Sequence, residues 1–162
     1  MEKVYSYEPV STELTDEQSK YILGAQANVW TEYLSTPEQI EYMIFPRMIA
    51  LSEVVWSQKS KKDWFDFTGR LQEHFDLLEF RGINYRVPDP EIQLRPLEGN
   101  KFTLGITSLK QNSTFYYTTD GSNPTSASLK YSQAVEVILT EGQKVKAIAI
   151  TKSGKKSIVV SN

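Results

Sequence analysis

Apolar residues recur at helical spacing between Thr36 and Val55. Thr36 can cap the start of a helix, Pro37 suits the first helical position, and Gln39 completes a capping box. The pattern predicts an amphipathic helix that Pro46 should kink, because proline lacks the backbone N–H that a helix interior needs. The apolar stripe of this helix consists of Ile40, Met43, Ile44, Met48, Leu51 and Val55.

A second apolar stripe predicts a helix from about Asp63 to Phe80. Gly82 follows its last turn and is a suitable C-terminal cap. The stripe is formed by Trp64, Phe67, Leu71, Phe75 and Leu78.

The segment from Tyr21 to Trp30 is apolar without regular polar alternation. This pattern is typical of a strand that is buried on both faces in a parallel sheet. A strand, a short polar loop and a helix form one β/α unit, which needs neighbouring parallel strands to cover it. The first half of the chain is therefore predicted to be the last piece of a larger α/β structure. In a β/α barrel, active-site residues follow the strand ends, a position held here by Trp30, Thr31 and Glu32.

The second half of the chain has the pattern of short strands joined by turns. Phe115–Thr119 precedes the turn dipeptide Asp120-Gly121, and Val135–Leu139 precedes a turn at Glu141-Gly142. Val145, Ala147 and Ala149 alternate with Lys146, Ile148 and Ile150. After a hairpin turn, Ser157–Val160 is predicted as the returning strand. Several short strands in about 70 residues favour an immunoglobulin-like sandwich.

The two halves also differ in composition. Residues 1–88 carry nine basic and fourteen acidic side chains and all three tryptophans, whereas residues 89–162 carry nine basic and six acidic ones. Two prolines in Val87-Pro88-Asp89-Pro90 favour a stiff, extended connection. A domain boundary is therefore predicted there, with domains of residues 1–88 and 89–162.

Composition argues against several functional classes. A net charge of −2 does not favour nucleic-acid binding, and no apolar run is long enough to span a membrane. The first residues lack the apolar core of a signal peptide, so none is expected on this chain. The absence of cysteine and the single histidine, His74, exclude thiolate sites and disfavour a metal site or a Ser-His-Asp triad.

Three motifs in the first half resemble one known family. They are Val4-Tyr5-Ser6-Tyr7-Glu8-Pro9, the run from Ile22 to Tyr33 (ILGAQANVWTEY), and the run from Pro46 to Ser57 (PRMIALSEVVWS). Together with Asn84–Pro88 they resemble the end of the catalytic barrel of family 20 glycoside hydrolases, the β-N-acetylhexosaminidases. Tyr117–Thr125 resembles the sandwich domain often attached to these enzymes. The implied fold class is α+β: the last strand and helices of a (β/α)8 barrel followed by a small immunoglobulin-like β-sandwich.

The resemblance implies substrate-binding roles for Trp30 and Glu32. Trp30 would form a wall of the pocket for the acetamido group, and Glu32 would accept hydrogen bonds from the 4- and 6-hydroxyls of the terminal sugar. By spacing alone, a core tryptophan and a solvated acid are the simpler interpretation. The matched run favours the pocket roles.

The resemblance places the catalytic residues outside this chain. It implies a retaining mechanism in which the substrate's acetamide oxygen attacks the anomeric carbon, assisted by an Asp-Glu pair at the end of the fourth barrel strand. The dipeptide Asp16-Glu17 has no strand before it, and Thr15 with Gln18 makes it a helix start. The chain alone is therefore expected to be inactive, with no metal or organic cofactor.

Other side chains have simpler structural interpretations. We expect His74 at the boundary of the apolar face of its helix, Arg47 and Glu53 in structural ion pairs, Trp56 in the core, and the lysines at 59, 61 and 62 in solvent. A sugar-stacking face formed by Tyr116, Tyr117 and Tyr131 is the less favoured alternative to core positions.

The expected partners and location follow from the resemblance and from the apolar stripes. The complete protein would bind N-acetylhexosamine-containing glycans and would be periplasmic or extracellular in a bacterium. An alternative function is a non-enzymatic carbohydrate-binding or interaction module. Helices that face a complete barrel would be exposed in the chain alone, so self-association through them is expected.

Overall fold

A computed structural model describes all 162 residues, which form two compact units, Met1–Arg86 and Val87–Asn162. The first unit is helical and the second consists of strands. No helix is both long and apolar enough to cross a membrane. The helices are α1 (Glu2–Tyr5), α2 (Asp16–Ser19), α3 (Pro37–Ile44), α4 (Arg47–Trp56) and α5 (Trp64–Phe80), with 3-10 turns at Thr31–Tyr33 and Lys59–Lys61.

The helix predicted around Pro46 is two helices rather than one kinked helix. Thr36 caps α3 as predicted, because its side chain accepts a hydrogen bond from the Gln39 N–H at 3.3 Å. The residue before a proline is disfavoured in helical conformation, and Phe45 is accordingly extended, with ψ of 137°. Helix α3 therefore ends before Pro46, and α4 begins after it at Arg47.

Helix α5 has the bounds and the buried face that the sequence predicts. Asp63 caps its N-terminus by accepting from the Asp66 N–H at 2.8 Å. At its C-terminus, Gly82 has φ of 70° and donates to the Glu79 carbonyl, while Ile83 donates to the Leu78 carbonyl. This is a Schellman motif, which uses the left-handed conformation that glycine adopts without strain. The buried face consists of Phe67, Leu71, Phe75 and Leu78.

The strand predicted from Tyr21 to Trp30 is absent. Residues 22–30 belong to no helix or strand, and Leu23 is 97% exposed. A strand exists only if neighbouring strands satisfy its backbone groups, and no strand of this chain pairs with these residues. This expectation is therefore wrong for the chain as it stands.

A clamp of polar and aromatic side chains holds α1 against α4 and α5. The Tyr5 hydroxyl donates to Glu53 Oε1 at 3.3 Å, and the Tyr5 ring stacks on Phe67 with centroids 4.6 Å apart. Arg70 donates two hydrogen bonds, of 2.9 and 2.7 Å, to the Glu53 carboxylate and also donates to Asp66. This Tyr5–Glu53–Arg70 clamp ties the first helix to the two longest ones.

The end of the first unit is tied back to α3. The Asn84 N–H donates to Glu41 Oε2 at 2.7 Å, and its side-chain amide donates to the Glu38 carbonyl at 3.0 Å. The Arg86 N–H donates to the Phe45 carbonyl at 3.1 Å. The segment that leaves the helices is therefore held in place by α3 and the residue that ends it.

The second unit contains two antiparallel sheets. One sheet has the order β1-β2-β5 and the other has the order β4-β3-β6-β7. The chain as a whole is thus α+β with antiparallel sheets. The strands are β1 (Glu91–Pro96), β2 (Lys101–Thr107), β3 (Thr114–Thr118), β4 (Leu129–Tyr131), β5 (Val135–Ile138), β6 (Lys146–Ile150) and β7 (Val160–Ser161).

Both sheets contribute to one apolar core. Leu104 and Ile106 enter it from β2, Tyr117 from β3, and Ala147 from β6, where it pairs with Tyr117. In β6, Ala147 and Ala149 are buried, but Ile148 between them is buried as well, so burial does not alternate as predicted, and the predicted return strand is shorter. There, Ser157 donates its N–H to the Ala149 carbonyl and accepts from the Ala149 N–H through its hydroxyl.

Candidate functional site

Trp30 and Glu32 lie in one hydrogen-bonded turn before α3. Trp30 flanks the 3-10 turn Thr31–Tyr33, its carbonyl accepts from the Tyr33 N–H at 3.2 Å, and the Thr31 carbonyl accepts from Leu34. Trp30 is 65% exposed and Glu32 is exposed. Neither is therefore a core residue, and both present side chains to which a ligand has access.

Trp30 lines an open apolar cavity of about 710 Å³, whereas Glu32 is not among its lining residues. One wall is formed by residues 25–30, and the other by the helices α3 and α4. The predicted stripe residues Met43, Met48 and Leu51 face this cavity rather than a filled core. Tyr33, which the sequence analysis did not single out, also lines it. Its position within the same motif, three residues after Trp30, is the signal that could have identified it.

The structure separates the two charged residues of the Pro46–Ser57 motif. Glu53 makes a structural ion pair, as expected, but its partner is Arg70 of α5. Arg47 instead donates to the Met43 carbonyl at the end of α3 and lines the cavity. The hydrogen bonds that Arg70 donates to Glu53 and Asp66 raise the pKa of its guanidinium above the ordinary value, so the clamp stays charged.

Trp56 and Lys62 differ from their predictions. Trp56 is 92% exposed, because α4 ends there and its buried face is formed by Ala50 and Val54. The core position expected for Trp56 is therefore wrong. Lys62 is largely shielded from solvent, donates to the Tyr7 carbonyl at 3.1 Å and lies 3.6 Å from Glu8 Oε2. Lys62 therefore holds the segment after α1 through these two contacts, and the solvent-exposed position expected for it is wrong.

The residues interpreted as non-catalytic have structural positions. Asp16 and Glu17 form the first turn of α2, where Thr15 and Gln18 make both hydrogen bonds of a capping box. His74 is exposed on α5. No group of three or more potential metal-ligating His, Cys, Asp or Glu side chains occurs in the chain.

The three tyrosines of the second unit do not form one surface. Tyr117 is a core residue, and Tyr131 is partly buried against the same core. The centroid of the Tyr131 ring lies 6.4 Å from that of Phe115. Tyr116 alternates with Phe115 and Tyr117 along β3 and therefore points to the opposite side of the sheet. A sugar-stacking face built from all three tyrosines is excluded.

Comparison with known families identifies the first segment. Residues 1–59 match the family described as "Glycosyl hydrolase family 20, catalytic domain". Residues 1–59 are thus a segment of family 20 sequence. They include Trp30, Glu32 and the Pro46–Ser57 motif, so the family resemblance seen in the sequence is confirmed. Residues 104–162 match a second family, described as "Fn3 associated".

Relatives of this chain are named as hexosaminidases. A beta-hexosaminidase of Porphyromonas gingivalis is 36% identical over 165 residues, covering 98% of this chain and 21% of the relative. A beta-N-acetylhexosaminidase of Cellulomonas fimi is 36% identical over 80 residues, covering 48% of this chain and 16% of the relative. The chain thus spans about a fifth or less of the length of these relatives.

A solved structure is also similar to this chain. It is an exo beta-N-acetylglucosaminidase from Vibrio harveyi in complex with N-acetylglucosamine, 40% identical in sequence. The match covers 52% of this chain and 14% of that structure, with a TM-score of 0.48.

Proposed function

We propose that residues 1–88 are the C-terminal segment of a family 20 catalytic barrel and that residues 89–162 are an accessory immunoglobulin-like β-sandwich. In a complete protein, the segment would serve the hydrolysis of terminal β-linked N-acetylhexosamine from glycans. The observation that carries this proposal is the family match over residues 1–59, which spans the whole Trp30–Glu32 turn. The names of the relatives support the substrate class.

Trp30 is the proposed wall of the acetamido pocket. An exposed indole beside an apolar cavity offers a flat surface against which a sugar ring or a methyl group can pack. Glu32 is the proposed acceptor for the 4- and 6-hydroxyls of the terminal sugar. A carboxylate suits this role because charge-assisted hydrogen bonds to hydroxyls are stronger than neutral ones.

The reaction itself requires groups that these 162 residues do not carry. In the proposed mechanism, the substrate's own acetamide oxygen attacks the anomeric carbon while a glutamic acid protonates the leaving oxygen. An aspartate beside that acid orients the acetamide. The Asp16-Glu17 dipeptide is committed to the cap of α2, so the 162-residue chain alone should not hydrolyse the substrate.

The proposal is tested in a chimera. Residues 1–162 replace the aligned segment of the Porphyromonas gingivalis relative, and hydrolysis of an aryl β-N-acetylglucosaminide is measured. We expect an active chimera, an inactive 162-residue chain, and losses in kcat/KM of about 10- to 100-fold for Trp30→Ala and for Glu32→Ala.

Two matched controls make the result specific. Trp56→Ala removes another exposed tryptophan and Glu17→Ala removes another exposed acid, both away from the cavity lining. Neither should change kcat/KM appreciably. Unchanged activity in both Trp30→Ala and Glu32→Ala would refute the assigned site, and turnover by the 162-residue chain alone would refute the assignment of chemistry elsewhere.

A further inference from the structure

The Trp30–Glu32 turn is fastened to α3 by a side chain that has no assigned role. Gln39 Oε1 accepts from the Ser35 N–H at 2.8 Å and lies 3.2 Å from the Ser35 hydroxyl. The Gln39 N–H in turn donates to the Thr36 side chain at 3.3 Å. The predicted capping box is therefore displaced by one residue, because the Gln39 side chain reaches Ser35 rather than the backbone of Thr36.

This displacement extends the cap toward the proposed site. The Trp30 carbonyl accepts from Tyr33, the Thr31 carbonyl accepts from Leu34, and the next residue, Ser35, donates to Gln39. Successive hydrogen bonds thus run from Trp30 to the first turn of α3. Glu32 lies in the middle of this run.

Packing contributes little to holding Glu32 in place. The side chains on both sides of it, Thr31 and Tyr33, are exposed, and Leu34 is half-buried. An exposed turn without a core depends on its hydrogen bonds and its attachment points for a fixed conformation. Ser35, the residue to which the Gln39 side chain is attached, is three positions from Glu32.

We propose that Gln39 is a positioning residue for Glu32, acting through Ser35 and the 3-10 turn. This inference rests on the proposed function, in which Glu32 binds the hydroxyls of the terminal sugar. Without the Gln39 side chain, the turn samples other conformations and the carboxylate is no longer held in its binding position. Misplacement by about 1 Å can cost on the order of 100-fold in rate, so a partial loss of attachment should reduce kcat/KM about 10-fold.

The first test is a double-mutant cycle in the chimera described above. Gln39→Ala should lower kcat/KM about 10-fold, chiefly through a higher KM, because the lost interaction is one of substrate binding. In a Glu32→Ala background, Gln39→Ala should have no further effect, since the group that it positions is gone. Gln39→Glu should restore activity because its carboxylate can accept the same hydrogen bond from Ser35.

A matched control comes from α2. Gln18 makes the corresponding capping hydrogen bonds with Thr15, away from the site, so Gln18→Ala removes a helix cap of the same kind. It should leave KM unchanged. An equal loss in Gln18→Ala, or a Gln39→Ala effect that multiplies the effect of Glu32→Ala, would show that Gln39 acts on general stability and would overturn the proposal.

The second test needs no activity and uses the 162-residue chain. Amide hydrogen exchange at Ser35 should be about fivefold faster in Gln39→Ala and unchanged in Gln18→Ala. Unchanged exchange over residues 31–35 in Gln39→Ala would overturn the positioning role. By contrast, faster exchange in Gln39→Ala together with full activity of Glu32→Ala would support the attachment of the turn by Gln39 but refute the proposed sugar-binding role of Glu32.

Discussion

Glu53 is a shielded and strongly hydrogen-bonded acid of the helical unit. Its side chain is 13% exposed and is held by Arg70 and by the Tyr5 hydroxyl. Truncating a partner of a shielded carboxylate is costly because the remaining charge loses its hydrogen bonds while staying partly out of water. The half-exposed Arg70 moderates this cost, because solvent screens the pair.

We therefore expect Arg70→Met to lower the free energy of unfolding of the helical unit by about 1–2 kcal/mol. Urea denaturation followed by tryptophan emission measures this unit, because all three tryptophans lie in residues 1–88. Lys61→Met, at an exposed lysine in a 3-10 turn, is the control and should change the midpoint little. Equal midpoints for the wild type and Arg70→Met would contradict a stabilising clamp.

Tyr85 gives the helical unit a dependence on alkaline pH. Burial, together with the hydrogen bond to Glu79, raises the pKa of the Tyr85 phenol well above its ordinary value. Above about pH 10 the unfolded phenol releases its proton while the folded one retains it. The stabilisation is thus fully present below about pH 10, and is lost at about 1.4 kcal/mol per pH unit above it.

Tyr85→Phe should remove this part of the pH dependence. In urea denaturation between about pH 9 and pH 11, the free energy of unfolding should fall less steeply in this variant, and the difference in slope should approach one proton equivalent at the alkaline end of the range. Tyr21→Phe, at an exposed tyrosine, should retain the slope of the wild type. Identical slopes for Tyr85→Phe and the wild type would show that the phenol does not contribute.

At the level of single residues, the sequence motifs and the general rules of burial had different outcomes. The roles that the matched run predicts for Trp30 and Glu32 stay predictions, and the structure places both residues in one accessible turn. The rule that tryptophans are buried failed for Trp56, because the buried face of α4 is set by Ala50 and Val54. Arg70, the partner of Glu53, lies 17 positions away on another helix, and no local sequence pattern predicts such a pair.

Among the elements, α5 has one glycine in its interior and a second just past its C-terminus, and the same substitution has opposite consequences at the two positions. Gly69 lies in the helix interior, and an added Cβ there meets nothing within 4 Å. Gly82 has φ of 70° in the Schellman motif, where a side chain is strained.

We expect Gly69→Ala to raise the free energy of unfolding by about 0.5–1 kcal/mol, because alanine is the better helix former. Gly82→Ala should lower it by about 1 kcal/mol because it strains the left-handed cap. Urea denaturation monitored by tryptophan emission compares the two variants directly. A shift of the same sign in both would contradict the conformations assigned to these glycines.

The elements that could be predicted are those specified by local signals. Capping residues and a 3.6-residue period predicted the bounds of α5, and a period-2 pattern predicted the strand β6. Strand β1 was missed although Ile92 and Leu94 alternate with polar residues, which is the same signal. The Tyr21–Trp30 strand failed for a different reason: its pattern is that of a strand covered on both faces, and this chain supplies no neighbouring strand.

At the scale of the molecule, the helical unit presents an exposed apolar surface. Met43, Met48 and Trp30 are all substantially exposed around the 710 Å³ cavity. Contiguous apolar surface of this kind favours association, because burying it between molecules removes it from water.

The 162-residue chain should therefore self-associate, and its weight-average mass in light scattering should rise with protein concentration. Met48→Lys places a charge at the cavity and should shift the equilibrium toward monomer. Ile138→Lys adds the same charge on the other unit, at a residue that is exposed as well, and is the control. A constant monomer mass for the wild type at every concentration would contradict this prediction.

The clamp on Tyr5 also bears on how this segment can be moved between proteins. Tyr5 is 6% exposed, and its ring packs against Phe67 and Trp64. The residues around Tyr5 are thus an integral part of the packing of the helical unit. A transplant that begins just after Tyr5 would leave behind part of this packing, whereas residues 11–13 are exposed and offer a position at which chains can be joined without disturbing it.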